Sequence, residues 1–212
     1  TGLIGGKVNI TVRVKETDRY LAKSTNVSVT VNKLSSIITV ENATLTVDAD
    51  GNVNIVAQTN SDAEIQYISL NTTVASVSGN TVTGFIGGKA NITLSVRETD
   101  KYLANAKNVS VTVNKLPAPL VAGNLTLKVG ESKFIDPTID VQYLRFICSD
   151  DTVVLVNATT GNVTGLKGGK VNITLIFDGN DKYLAYETNI TVTVNKLTST
   201  ITVENTNLMV DV

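Results

Sequence analysis

Eleven asparagines in this chain stand two residues before a serine or threonine: Asn9, Asn26, Asn42, Asn71, Asn91, Asn108, Asn124, Asn157, Asn162, Asn172 and Asn189. Asn-x-Ser/Thr is the acceptor pattern for attaching a glycan to the asparagine side-chain nitrogen of an exported protein. Several of these tripeptides lie in alternating runs such as KVNITVRV (7–14) and NVSVTVN (26–32). Residues i and i+2 of a strand share a face, so the Asn and its hydroxyl partner point away from the Val/Ile row. The same pattern also makes a wettable outer sheet face with no glycan attached.

The other chemically suggestive residues have simpler readings. Asp48, Asp50 and Asn52 in DADGN (48–52) have the spacing of oxygen ligands in a calcium loop. Asp-Gly is also a hairpin-turn pair, and the aligned KVGES (128–132) lacks the two carboxylates, so a turn is expected. Tyr20, Tyr102 and Tyr183 recur in a KYLA-type loop. There they could stack on sugars, but a ring covering the end of a core is the expected role. Cys148 is the sole cysteine, on one face with Leu144 and Phe146, and reads as a small buried hydrophobe. Histidine is absent, which removes Ser-His and Cys-His nucleophilic pairs and the usual zinc ligand sets. No catalytic residue, cofactor or metal site is expected. Lys and Arg number 18 against 19 Asp and Glu, for a net charge of −1. No basic face for a run of phosphates follows, so nucleic acid is not an expected partner.

The elements that carry these residues come from an internal repeat. GGK occurs at 5–7, 87–89 and 168–170, spacings of 82 and then 81 residues. VNKL (31–34, 113–116, 194–197) and the loop TDRYLA, TDKYLA, NDKYLA (17–22, 99–104, 180–185) keep the same spacings. ITVENATLTVD (38–48) returns two periods later as ITVENTNLMVD (201–211). With NKL as the seam, 34–115 is one whole unit and 116–196 another. Residues 1–33 align with the last part of a unit, and 197–212 with the first part of one. The expectation is a window on a longer array, with further strands of the outer units on both sides.

Period-2 alternation runs through every unit. In 34–115 it predicts short strands near 37–47 (two pieces), 52–57, 64–69, 73–77, 80–84, 89–96 and 107–114. Turn formers fall between them at DADGN, SGN, GG and ETD. Seven or eight short strands, apolar on one face, predict an all-β protein of tandem antiparallel β-sandwiches, with no helix of useful length.

CSDDTVVLVNATTGNVTGLKGGKVNITL (148–175) resembles the signature of bacterial immunoglobulin-like group 2 domains. In that signature a Ser-Asp turn precedes a VATV-like strand, a G-x-VTG turn and a G-x-A-x-IT strand. DKYLAYETNITVTVNK (181–196) is similar to the closing strands of the related group 3 type. Arrays ending in VTVNKL look like adhesin-like surface proteins of methanogenic archaea. The resemblance implies immunoglobulin-like domains at 34–115 and 116–196, the C-terminal part of one at 1–33, and the N-terminal strands of another at 197–212. It also implies a non-enzymatic extracellular stalk or fibre on the cell surface, covalently N-glycosylated, whose nearest partners are neighbouring repeats of the same polypeptide. A self-assembling filament or sheath of identical chains is the alternative, and a glycan-binding module a further one. Aromatics are only 5% and Trp is absent, which weighs against the last. No residue cluster names a receptor on a host or neighbouring cell.

Overall fold

A computed structural model describes residues 1–204, 207, 209 and 210. The described residues form two compact units, Thr1–Leu116 and Pro117–Val212.

The first unit opens with an isolated hairpin of β1 (Gly6–Val14) and β2 (Lys23–Val31). It continues through β3 (Ile38–Val40), β4 (Thr44–Asp48), β5 (Asn52–Asn54), β6 (Ala57–Thr59), β7 (Gln66–Ser69), β8 (Ala75–Ser78), β9 (Thr81–Gly84), β10 (Gly88–Val96) and β11 (Asn105–Asn114). A four-stranded sheet in the order β4-β11-β10-β7 packs against β5-β9-β8 and the small pair β3-β6. Alternation places Ala90, Ile92, Leu94 and Val96 of β10 and Val109, Val111 and Val113 of β11 inside, all buried. They pack with Val47, Ile55, Val74 and Val82 into one core, the close-packed interior that stabilises a two-layer sandwich. One feature departs from a purely antiparallel plan. β4 runs parallel to β11, from Thr44 opposite Ser110 to Asp48 opposite Asn114.

The second unit repeats the plan with β12 (Leu125–Lys128), β13 (Ser132–Phe134), β14 (Leu144–Cys148), β15 (Val154–Val156), β16 (Asn162–Gly165), β17 (Gly169–Phe177) and β18 (Tyr186–Asn195). Its sheets are β12-β18-β17-β14 and β13-β16-β15, again with the edge strand β12 parallel to β18. The core is Leu127, Leu144, Phe146, Val154, Val163, Ile173, Leu175, Ile190 and Val192 with their neighbours. Among the described residues β3 and β6 have no counterpart strands, because Pro117 and Pro119 lie just ahead of the stretch aligned with β3 and Pro137 falls at the start of the one aligned with β6. Proline removes a ladder donor and holds φ near −65°. Thr138 substitutes: its N–H donates to the Val121 carbonyl (2.9 Å), and its hydroxyl accepts from the Val121 N–H (2.8 Å) and donates to the Pro119 carbonyl.

The β1–β2 hairpin repeats the register of β10–β11 residue for residue, Gly6 opposite Val31 as Gly88 is opposite Val113. Its apolar row does not turn inward as expected. Val8, Ile10, Val12, Val14 and Val27 are exposed, because among the described residues no strands cover β1–β2 as they cover the aligned face of β10–β11. Ile10 is 50% exposed, while the aligned Ile92 and Ile173 are at 0%. Residues 197–204 carry no strand. Of the stretch 197–212 in which strands are expected, residues 205, 206, 208, 211 and 212 lie outside the described set.

Candidate functional site

The three sequence landmarks meet in space at the seam of the first unit. Gly5 of GGK, Lys33 and Leu34 of VNKL, and Asp100 to Tyr102 of TDKYLA are neighbours there. The Gly5 N–H donates to the Asp100 carbonyl (2.8 Å), and the Leu34 N–H donates to the next carbonyl, Lys101 (2.7 Å). The Leu34 carbonyl accepts from the Leu103 N–H (2.9 Å), so Leu34 lies as a one-residue strand parallel to Tyr102. Ser36, the single buried polar residue among those described, donates its hydroxyl to the Leu103 carbonyl (2.5 Å), and Asn105 Nδ2 donates to the Ser36 carbonyl (2.6 Å). A Lys33–Glu98 ion pair at 2.5 Å closes the outside. Glu98 aligns with Gly179 in the next frame, so the pair is accessory; at a partly exposed site it is worth ~0.2–1 kcal/mol.

The chemistry of GGK follows from this geometry. A Cβ on Gly5 would meet Lys33 Cγ at 2.4 Å, and one on Gly168 would meet Lys196 Cγ at 2.5 Å. The NKL lysine lies over the first glycine of its own hairpin in both units. The second glycine has φ of +154° at Gly6 and +157° at Gly88, a region L side chains rarely adopt. The loop that receives the seam is built alike in all three frames. The Thr17, Thr99 and Asn180 N–H groups each donate to the carbonyl of the tyrosine three residues on, at 2.9, 2.9 and 3.0 Å. Their side-chain oxygens accept the tyrosine N–H in return. Tyr183 packs on its core and Tyr102 is half-buried, whereas Tyr20 is 74% exposed beside the open hairpin.

Ten of the eleven tripeptide asparagines are exposed, and Asn162 is half-buried with its Oδ1 lacking a hydrogen-bond partner. Asn9, Asn26, Asn91, Asn108, Asn172 and Asn189 lie on hairpin strands, and Asn162 opens β16. Asn42, Asn71, Asn124 and Asn157 lie between strands. Of these four, Asn71 Nδ2 donates to the Lys89 carbonyl, Asn124 Oδ1 accepts the Thr191 N–H, and Asn157 Oδ1 caps the Thr159 and Thr160 N–H groups. DADGN is a turn: Asp50 has φ of +60°, and the Gly51 N–H donates to the Asp48 carbonyl. Cys148 is half-buried beneath β15, its Sγ 3.3 Å from the Asp150 carbonyl. Among the described residues no three His, Cys, Asp or Glu side chains converge as a metal site, and no helix is long and apolar enough to cross a membrane.

Three carboxyls sit below their ordinary range. Asp178 is held down by hydrogen bonds and charge from Arg145, Asp150 by the Thr152 hydroxyl and N–H, and Glu131 by the Lys128 N–H and then Lys133. Depressed carboxylates stabilise the fold above their unfolded values, and that contribution is lost as pH falls through the folded ones. Asp150 and Asp178 are exposed and Glu131 is partly so, all in turns or at strand ends, so the loss on acidification should be gradual and small.

No protein-family model matches the chain, and no curated relative does. Among solved structures, the S-layer protein rSbsC(31-844) is 16% identical with a TM-score of 0.33, over 89% of this chain and 32% of that one. Drosophila N-cadherin EC1-4 is 10% identical with a TM-score of 0.37, over 92% of this chain and 59% of that one. Mouse protocadherin-24 EC1-3 is 10% identical with a TM-score of 0.35, over 90% and 80%. The chain thus spans about a third of the S-layer structure. Likeness at this level defines neither a family nor a role.

Proposed function

We propose that this chain is a segment of a non-enzymatic, extracellular, adhesin-like stalk or fibre made of tandem immunoglobulin-like domains of the bacterial group 2 and 3 type. The archaeal surface-protein arrays that end in VTVNKL are its proposed kin. Residues 1–33 are read as the closing hairpin of one domain, 34–115 and 116–196 as whole domains, and 197–212 as the start of another. The apolar row of β1–β2 supports the first of these assignments, since the aligned rows of β10–β11 and β17–β18 form the inner face of a closed sandwich.

The observation that carries the stalk reading is the seam. Only residues 32–37 separate β2 from β3, and Leu34 and Ser36 within them are tied to the 98–105 segment by backbone and side-chain hydrogen bonds. A flexible linker has free backbone; this one has little, so consecutive repeats act as stiff spacers. Spin labels at Ser24→Cys and Ser78→Cys, in a Cys148→Ser background, test it. A single narrow distance distribution is expected, broadened by Gly5→Ala, whose methyl displaces the Lys33 stem. A broad distribution in the parent chain would remove the stalk reading.

N-glycans on outward asparagines suit an exported stalk, shielding edges and loops. Asn42 is the foremost acceptor, lying between β3 and β4 with its side chain exposed. In a host that exports and N-glycosylates the chain, glycopeptide mapping should find sugar there. Eleven bare asparagines would contradict this part. Lateral assembly into a filament is the second reading, favoured by the uncovered β1–β2 face; sedimentation that stays monomeric across concentration argues against it.

A further inference from the structure

The six tripeptides on the closing hairpins have a use that needs no glycan. In an antiparallel pair, residues i and i+2 of one strand face j and j−2 of the other. Two Asn-x-Ser/Thr runs in such a pair therefore set each asparagine opposite a hydroxyl. That is the register found: Asn9 faces Ser28 and Thr11 faces Asn26; Asn91 faces Ser110 and Thr93 faces Asn108; Asn172 faces Thr191 and Thr174 faces Asn189. The hydroxyl donates to Asn Oδ1 at the same place in every repeat: Thr11 to Asn26 at 2.7 Å, Thr93 to Asn108 at 2.9 Å and Thr174 to Asn189 at 2.6 Å. In the third repeat the reciprocal bond, Thr191 to Asn172, is made as well, at 3.2 Å.

β5 and β9 supply a natural control. Asn52 faces Thr83 and Asn54 faces Thr81, bonded at 2.7 and 2.8 Å. There both asparagines are on one strand and both threonines on the other, so no tripeptide arises from those positions. The factor common to all these sites is the cross-strand pair, not the acceptor pattern.

We infer that Asn9, Asn26, Asn91, Asn108, Asn172 and Asn189 serve as strand-pairing residues, and that their glycan-acceptor pattern is a by-product of Asn/hydroxyl pairing across antiparallel strands. β10, β11, β17 and β18 are each paired on both edges. Asn91 and Asn172 are engaged on both edges, their carbonyls accepting the Leu70 and Ser149 N–H groups, while Asn108 and Asn189 lie beyond the β4 and β12 registers and pair only with Thr93 and Thr174; each ladder would have to open before the tripeptide could bend into a modifying enzyme. The pairing role goes beyond the stalk reading and does not depend on export.

The test is a double-mutant cycle on the whole chain, made in a host that attaches no glycans. Thr93→Val removes the donor, Asn108→Val the acceptor, and amide exchange of β10 and β11 reads the opening equilibrium. Cross-strand polar pairs of this kind give a coupling of about two- to five-fold in that equilibrium. The same coupling is expected for Thr174→Val with Asn189→Val, which keeps the test alive if the first pair fails to fold. It is also expected for Thr83→Val with Asn52→Val, where no tripeptide is involved. Independent, multiplicative effects at Thr93/Asn108 and Thr174/Asn189 would overturn the inference, as would coupling at those pairs with none at Thr83/Asn52.

Discussion

Ile92→Ala should destabilise its sandwich by about 2–5 kcal/mol, and Ile173→Ala its own by a similar amount, while Ile10→Ala costs less than about 1 kcal/mol. The three isoleucines hold the same place in three copies of one sequence frame, so propensity and local pattern do not distinguish them. Burial does. Ile92 and Ile173 are sealed between two sheets, and truncation leaves a cavity lined by side chains that cannot collapse into it. Ile10 already meets water on an open hairpin face, so its deletion forfeits only part of a transfer term. Urea unfolding followed by resolved signals of each unit reads all three. Comparable losses at all three positions would show that the β1–β2 face is covered in solution.

Gly165→Val should destabilise the second unit by at least about 1–3 kcal/mol, the usual range for forcing extra atoms into a filled core. A Cβ there would stand 2.8 Å from the Lys128 carbonyl oxygen and 2.9 Å from Val194 Cγ1. The first is backbone of the parallel edge strand, which cannot swing aside as a side-chain tip can. Gly84, the same residue of the preceding VTG turn, meets Val113 Cγ1 at 2.9 Å and the Asp48 carbonyl at 3.0 Å, so Gly84→Val should behave alike. Gly123→Ala is the control: its Cβ would enter open space, and the change should be neutral or mildly stabilising by narrowing the unfolded ensemble. Thermal unfolding of the three variants distinguishes close approach from a generic dislike of substituting glycine.

The sandwich was legible because alternation and turn residues are local signals. Predicted strands near 80–84, 89–96 and 107–114 are found at Thr81–Gly84, Gly88–Val96 and Asn105–Asn114. Two features were hidden by their reach. The parallel seating of β4 on β11 joins residues 66 apart, and period-2 alternation carries no information about strand direction. The seam was visible only as a coincidence of spacing: GGK, VNKL and TDKYLA share one period, but nothing in a linear reading says that Gly5 reaches Asp100. In the linear sequence the outward Asn/Thr rows show only a wettable surface or acceptor sites. Their cross-strand complementarity appears only once the register is known, although NIT on one strand and NVS or NIT on its partner already hint at it. The inward turn of the 8–14 row failed as an expectation because alternation says which residues share a face, not whether another sheet covers it.

Each of the two units is stabilised by its own aliphatic interior. Amide exchange on the intact chain carrying Ile92→Ala tests it most directly. Protection in β10 and β11 should fall by orders of magnitude while β17 and β18 keep theirs. Equal loss of protection in both ladders would mean a single shared interior, and beads in series would be the wrong description.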